Sequence, residues 1–265
     1  MTDALANFDL RDEIKAYWSE RAATFDDQPG HEIFSEAERA AWHNLIRKHV
    51  GEGRGRTALD LACGTAVVSH LMDDLGFHVT GMDWSDAMLE RARAKAANRK
   101  RGIRFVMGDA ENTMEPDASY DVIINRHLVW TLVDPQAAFR EWFRVLKPGG
   151  KLLVIDGDFV NKGPVARFAS WLASKLNGPQ DGHGAVRSAE MMKTHRSILS
   201  RVHFSEGARA KAVASLLSET GFSPVKVDYA MRPIHRAQAA NFSFLKGLER
   251  STQHRYAILA TKPQD

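Results

Sequence analysis

The stretch ALDLACGTAVVSHLMDDLGFHVTGMDWSDAMLERAR, residues 58–93, decides how the rest of the chain is read. An apolar run from Thr57 to Ala62 enters a tight turn, and a helical pattern from about Ala66 to Leu75 follows, closed by Gly76. A second strand, His78 to Met82, and a second helix, Asp86 to Lys100, come next without a break. Strands alternating with helices in this way mark parallel strands joined by crossover helices.

Working outward, Ile103 to Gly108 and Tyr120 to Asn125 read as strands three and four. A helix from Pro135 to Leu146 and a fifth strand from Lys151 to Asp156 flank the turn Lys147-Pro148-Gly149-Gly150. Beyond residue 206 the rhythm resumes with a helix in ARAKAVASLLSETG and strands in SPVKVDYA and RYAILATK. The pattern predicts an α/β fold, a doubly wound, mostly parallel seven-stranded sheet with helices on both faces. Residues 1–50 predict a helical N-terminal cover whose second helix opens on the capping pair Ser35 and Glu38. Residues 157–206, rich in Gly, Ser, His and Arg, break the rhythm and read as an insertion after strand five. A single domain over 1–265 is the simplest organisation. Both extra segments then overhang the carboxyl edge of the sheet, where such folds bind ligands.

Bulk properties exclude several classes. The chain has 265 residues, 44% of them hydrophobic, enough for a substantial core. No run approaches the ~20 apolar residues of a membrane span, and the first ten residues lack a leader pattern. A cytoplasmic protein without stable membrane association is therefore expected. Thirty-six basic against thirty-three acidic side chains are too balanced to indicate a nucleic-acid partner. The lone cysteine, Cys63, excludes an internal disulfide and a cysteine-built zinc site. His183, His195 and His203 are spaced by twelve and eight residues, which fits no compact ligand pattern, so no metal is expected.

The turn after the first strand fails as a phosphate site. With Gly64 as the middle glycine of G-x-G-x-x-G, Ala62 and Val67 occupy the flanking glycine positions, and a G-K-[ST] ending is absent. The spacing present is Ala62-Cys63-Gly64-Thr65-Ala66, with Asp60 two residues ahead. Further features at regular distances are Asp83-Trp84 after strand two, the Met88-Leu89 pair, GDAEN at 108–112, and SYDVIINRHLVWTLVDPQAAFREWFRVLKPGGKLLVIDGDF at 119–159. On these residues the chain resembles the class I S-adenosylmethionine-dependent methyltransferases, especially the small-molecule group similar to the ubiquinone and menaquinone enzymes. The resemblance is close over residues 57–156 and looser over 207–263.

The resemblance implies S-adenosyl-L-methionine as cofactor, S-adenosyl-L-homocysteine as product, and methyl transfer to an N, O or C atom of a small metabolite. It assigns Asp60 to the cofactor's ammonium, Ala62 and Gly64 to the loop around its amino-acid end, and Asp83 to the ribose hydroxyls. Trp84 would stack on adenine, Met88 would touch the cofactor or pack its own helix, Asp109 would accept from the adenine amine, and the Ala110 N–H would donate to the ring. Tyr17 would serve the cofactor's carboxylate, and Arg126 that carboxylate or one on the acceptor. Trp18, Trp130 and His183 are expected on the acceptor side. His127 is the best-placed general base, since an unperturbed imidazole has a pKa of ~6.5. Ala66 stands where the family usually has glycine, and Phe25 where many members have tyrosine. A lipid-headgroup or quinone acceptor, or a methyltransferase-like regulatory protein without catalysis, remain open alternatives. A monomer or homodimer is expected.

Overall fold

The computed structural model describes residues 2–27, 30–161, 163–177, 189–242 and 244–264. Seven strands form one sheet: β1 (Thr57–Leu61), β2 (His78–Asp83), β3 (Arg104–Met107), β4 (Tyr120–Arg126), β5 (Leu146–Asp158), β6 (Val225–Asp228) and β7 (His254–Thr261). Their order is β3-β2-β1-β4-β5-β7-β6. β1 to β5 pair in parallel, whereas β7 runs antiparallel to both β5 and β6. The expected doubly wound sheet is the observed one.

Alternation along the strands builds two cores. Leu59, Leu61, Ile123, Leu152, Val154, Tyr256 and Ile258 face a cluster shared with α5 (Pro135–Val145) and α8 (Ala210–Glu219). Ala58, Val122, Ile124, Leu153, Ile155 and Ala257 face the other, under α2 (Glu36–Val50) and α3 (Val67–Asp74). Successive side chains point to opposite faces and both faces are covered, so the central strands carry apolar residues in nearly unbroken runs.

Local chemistry fixes the helix starts. Asp134 caps α5 by accepting from the Ala137 N–H at 2.9 Å, with Pro135 in the first turn. Ser85 caps α4 (Asp86–Asn98) through the Met88 N–H. Ser35 caps α2 as expected, accepting from the Glu38 N–H at 3.1 Å. Glu38 does not complete the box; its carboxylate is buried and accepts from Gln238 Nε2 at 2.9 Å.

Two features differ from the sequence reading. The Lys147–Gly150 segment lies within β5: Leu146 pairs with Tyr120, and the register shifts before Lys151 meets Val122. Gly149 sits at φ +74° there, a conformation glycine adopts freely. Between β6 and β7 the chain forms α9 (Arg232–Ala239) and α10 (Phe244–Ser251), where no element was foreseen. α10 packs along α6 (Pro164–Asn177) of the insertion. The N-terminal helix α1 (Thr2–Arg21) meets α7 (Ala189–Leu199) through Leu10, Ile14, Tyr17 and Ile198. Cover and insertion thus support each other. Among the described residues, no helix is long and apolar enough to cross a membrane.

Candidate active site

The turn after β1 is built from alternating left-handed residues. Ala62, Gly64 and Ala66 have φ of +53°, +54° and +71°. Gly64 points its N–H at Asp83 Oδ2, 2.9 Å away, and the Ser85 N–H meets Asp83 Oδ1 at 2.9 Å. The turn, the end of β2 and the start of α4 therefore converge on one carboxylate. Burial lifts that carboxyl to about 6, even though the Ser85, Gly64 and Trp84 N–H groups favour its charged form.

A cavity of about 310 Å³ opens over this point, a size typical of small-molecule sites. Ala62, Gly64, Asp83, Trp84, Met88, Asp109, Ala110, Arg126, His127, Trp18 and Trp130 all line it, so eleven of the expected site residues meet at one place. Met88 is buried and Trp84 half-buried. Asp109 Oδ1 accepts the Glu111 N–H at 2.8 Å, and the Ala110 carbonyl accepts from Trp142 Nε1 at 2.7 Å, which holds the loop after β3 against α5. Glu111 pairs with Arg11 of α1 and accepts the Val133 N–H, tying the cover to that loop.

Two expected cofactor contacts lie behind the wall. Asp60 is 1% exposed and accepts from Ser69 Oγ at 2.6 Å. It sits inside β1, level with Gly81 and Ile124, and points away from the face of Leu59 and Leu61. Burial raises its carboxyl to about 7, so it is not a firm anion at neutral pH. Tyr17 is buried between α1 and α7, its ring stacked on His195 at 5.4 Å and edge-on to Trp18 at 5.2 Å, rather than at the cavity wall. His183 lies outside the described residues.

His127 is held in a left-handed conformation, φ +61°, with its N–H on the Ile155 carbonyl and its carbonyl accepting from Trp130 Nε1 at 2.8 Å. Burial, reinforced by Arg255, Arg126, His31 and Arg250, pushes its pKa well below the ordinary histidine value. That environment keeps the ring neutral but opposes proton uptake, which runs against the expected general-base role. Arg126 donates Nη2 to the His31 carbonyl at 3.0 Å and lies over the Trp42 ring at 5.4 Å. Among the described residues, no group of His, Cys, Asp and Glu is arranged to hold a metal ion.

Sequence reasoning missed Arg21, His31, Phe159 and Arg250, all of which line the cavity. Arg21 ends α1 three residues after Trp18, a spacing that puts the two on one helix face. Arg250 comes from α10, brought in by the unforeseen pair of helices. An aromatic wall completes the site: Trp130 meets Trp18, Phe159 and His195 edge-on at 6.4, 5.9 and 5.9 Å.

Comparison with known proteins finds methyltransferases. Residues 59–154 match the family described as "Methyltransferase domain". The chain is 31% identical over 160 residues to a demethylmenaquinone methyltransferase of Renibacterium salmoninarum, covering 60% of this chain and 65% of that one. It is 33% identical over 140 residues to phosphoethanolamine N-methyltransferase 1 of Arabidopsis thaliana, covering 52% of this chain and 28% of that one. The chain thus spans less than two thirds of the length of either relative. Among solved structures, phosphoethanolamine N-methyltransferase 2 of Haemonchus contortus, in complex with S-adenosyl-L-methionine, superposes with a TM-score of 0.62 at 18% identity. That match covers 93% of this chain and 57% of that one.

Proposed function

We propose, from the premise that the chain carries a methyltransferase domain of the class I fold, that it is an S-adenosylmethionine-dependent methyltransferase acting on an N, O or C atom of a small molecule. The observation that carries this reading is Asp83, a buried carboxylate at the cavity wall whose two oxygens are braced by backbone N–H groups, Gly64 on Oδ2 and Ser85 on Oδ1. A carboxylate held in this way is an acceptor suited to the hydroxyls of a ribose.

The remaining donor set fits the same ligand. Asp109 presents an acceptor and Gly64 a surface without a side chain. Trp84 and Met88 supply apolar area for adenine. When bound, S-adenosylmethionine would supply an electrophilic methyl group to a lone pair of the acceptor, leaving S-adenosylhomocysteine. The chain's own residues then align the acceptor and keep water out. Trp18, Trp130 and Phe159 exclude water from the acceptor side. His127 acts as a neutral hydrogen-bonding partner, consistent with its depressed pKa.

The cover and the segment after β5 serve as the acceptor-shaping parts, within one domain. Relatives named for menaquinone and phosphoethanolamine methylation support a metabolite acceptor. A cytoplasmic location and a monomer or homodimer are part of this reading; the free thiol of Cys63 fits a reducing compartment. A second reading, an acceptor collected from a lipid surface, is favoured by Val165, Phe168 and Trp171, all exposed on α6; liposome co-sedimentation tests it.

Isothermal titration with S-adenosylhomocysteine tests the main reading. Stoichiometric binding is expected, and a protein that binds neither the cofactor nor this product is not a methyltransferase.

A further inference from the structure

Asp156 stands on β5 where an apolar face ends. Leu152 and Val154, two and four residues earlier, turn into the core under α5, and Tyr256 of that core is its partner across the ladder to β7. The Asp156 carboxylate is 1% exposed and lies just past Arg126 and Ile155, the last pair of β4 with β5. A charge buried at such a position is costly unless donors surround it. Three backbone N–H groups do. Oδ2 accepts from Val129 at 2.8 Å and from Trp130 at 3.4 Å, and Oδ1 accepts from Gly157 at 2.8 Å.

Val129 and Trp130 open a single 3₁₀ turn, Val129–Thr131, which follows β4. The residue before it, Leu128, gives the turn no side-chain cap, so Asp156 supplies one from the neighbouring strand. The same segment is tied twice more: the His127 N–H donates to the Ile155 carbonyl at 2.9 Å, and Trp130 Nε1 donates to the His127 carbonyl at 2.8 Å. Of residues 127–132, all but Val129 line the cavity. Asp156 is buried behind them.

We propose that Asp156 is the positioning residue of the acceptor side: its carboxylate fastens the turn after β4 to β5 and so sets the Trp130 ring and the His127 side chain at the cavity wall. This rests on the methyl-transfer reading, which gives that wall to the acceptor, and adds the residue that shapes it. Trp130 has the most to lose, since its ring meets Trp18, Phe159 and His195, from three other parts of the chain. A small slip of the turn opens those contacts and misplaces the acceptor. The opposite half of the cavity, with Asp83 and Asp109, hangs on β2 and β3 and does not depend on this brace.

The brace has its own pH signature. Burial lifts the Asp156 carboxyl to about 7, against the pull of its three N–H donors and of Arg255 on β7. Its other ionisable neighbours are Arg126 and His127 at the end of β4, Asp158 further along β5, and Tyr256 opposite. Burial pushes the Tyr256 phenol up, with help from Asp156 and Asp158, and pushes His127 well below the ordinary histidine value, so both stay neutral near pH 7. Asp156 is charged above about 7 and surrenders an acceptor site to a proton below it. The turn is therefore held best on the alkaline side.

The test is fluorine NMR of the protein labelled with fluorotryptophan, with and without S-adenosylhomocysteine, the Trp130 resonance being assigned through Trp130→Phe. Between about pH 5.5 and 8.5 that resonance is expected to titrate with a midpoint near 7, while the resonance of Trp142, buried in the core, stays in place. Asp156→Asn, whose amide offers one acceptor oxygen where two are used, is expected to abolish the titration. Its affinity for S-adenosylhomocysteine, measured by isothermal titration, should stay within about threefold of wild type. An ordinary imidazole titrates close by, and the His195 ring lies 5.9 Å from Trp130, so His195→Gln is the control and is expected to keep the midpoint. If circular dichroism shows Asp156→Asn unfolded, the wild-type and His195→Gln titrations decide alone. A wild-type Trp130 resonance indifferent to pH overturns the proposal, as does a titration that survives in Asp156→Asn or vanishes in His195→Gln. A folded Asp156→Asn that loses more than about threefold in product affinity also overturns it, because the carboxylate then serves the cofactor side. A wild type that binds no S-adenosylhomocysteine refutes the methyl-transfer reading itself, whereas the titration recorded without that compound still judges the brace.

Discussion

Gly64 donates its backbone N–H to Asp83 Oδ2 at 2.9 Å, so the turn after β1 and the end of β2 are set against each other before any ligand arrives. Burial holds the Asp83 carboxyl at about 6, and hydroxyl donors from a ligand favour its ionised form. The affinity for S-adenosylhomocysteine should therefore hold above pH 6 and weaken as the pH falls from there, because protonation removes the acceptor. Asp83→Ala should weaken binding by about 10- to 100-fold, the range for hydrogen bonds to a charged group. Calorimetry at acid and neutral pH checks both points. The variant should also lose the pH dependence, and a wild-type affinity indifferent to pH would contradict the role given to Asp83.

The two alanines of the turn offer a test of backbone strain. Ala62 and Ala66 both occupy left-handed conformations, which cost an L-residue roughly 1–2 kcal/mol. Glycine removes that cost but adds about 0.5–1 kcal/mol of unfolded-state entropy. Ala66 is fully buried, so losing its methyl forfeits a further ~0.8 kcal/mol, whereas Ala62 is only half-buried. Ala62→Gly is expected to raise the melting temperature by about 1–3 °C, and Ala66→Gly to leave it nearly unchanged. Differential scanning calorimetry on the two variants decides; a larger gain for Ala66→Gly would show that the methyl there is crowded rather than packed.

The parts of the site legible in the sequence are those that local rules place. Asp83 ends β2 and Asp109 follows β3, so their position at the carboxyl edge comes from strand length alone. Asp60 misled because it is one residue short of the edge, where alternation governs. Leu59 and Leu61 take one core, which sends Asp60 to the other face beneath α3 and Ser69. Arg250 could not be placed from pattern, because its approach depends on how α9 and α10 fold between two antiparallel strands. The same distance hides the weak basicity of His127, whose pKa is depressed partly by Arg255 and Arg250 far along the chain. Strand parity and strand ends are local; the charge in a cavity is set by tertiary packing.

Lys95 fastens the cover to the turn. Its Nζ reaches Asp26 at 2.8 Å, Glu32 at 2.6 Å and Thr65 Oγ1 at 3.0 Å, and Thr65 in turn donates to Asp26. The connected segment carries Phe25 and His31 to the cavity. Lys95→Met leaves two carboxylates facing each other, at a cost of about 1–3 kcal/mol for a pair only partly screened by solvent. Thermal denaturation should show a fall of about 3–8 °C, and proteolysis between residues 25 and 34 should accelerate. Glu32 is held below the ordinary carboxylate value despite its burial, mainly by its hydrogen bond with Lys95. Its stabilisation is thus present above that ordinary value and is lost as the pH falls through the depressed one, so the deficit of the variant should shrink in acid. A deficit that is constant with pH would mean that Lys95 acts through packing of its stem.

His127 separates two accounts of the chemistry. A general base contributes roughly 10²- to 10⁴-fold and leaves an acid limb in the rate profile near its own pKa. The ring here meets the edge of Phe159 at 5.2 Å, and burial with the surrounding cations keeps it from gaining a proton. Its part is then to orient the acceptor as a neutral group, and the pH profile between 6 and 8 should carry no limb from it. His127→Gln retains a polar amide at that position and should lower kcat/KM by less than about tenfold with the profile unchanged in shape. Release of S-adenosylhomocysteine, followed at several pH values with a methyl acceptor, measures it. A loss beyond a hundredfold, together with the disappearance of an acid limb seen in the wild type, would restore the histidine as the base and require that substrate binding displace the arginine charge that now opposes it.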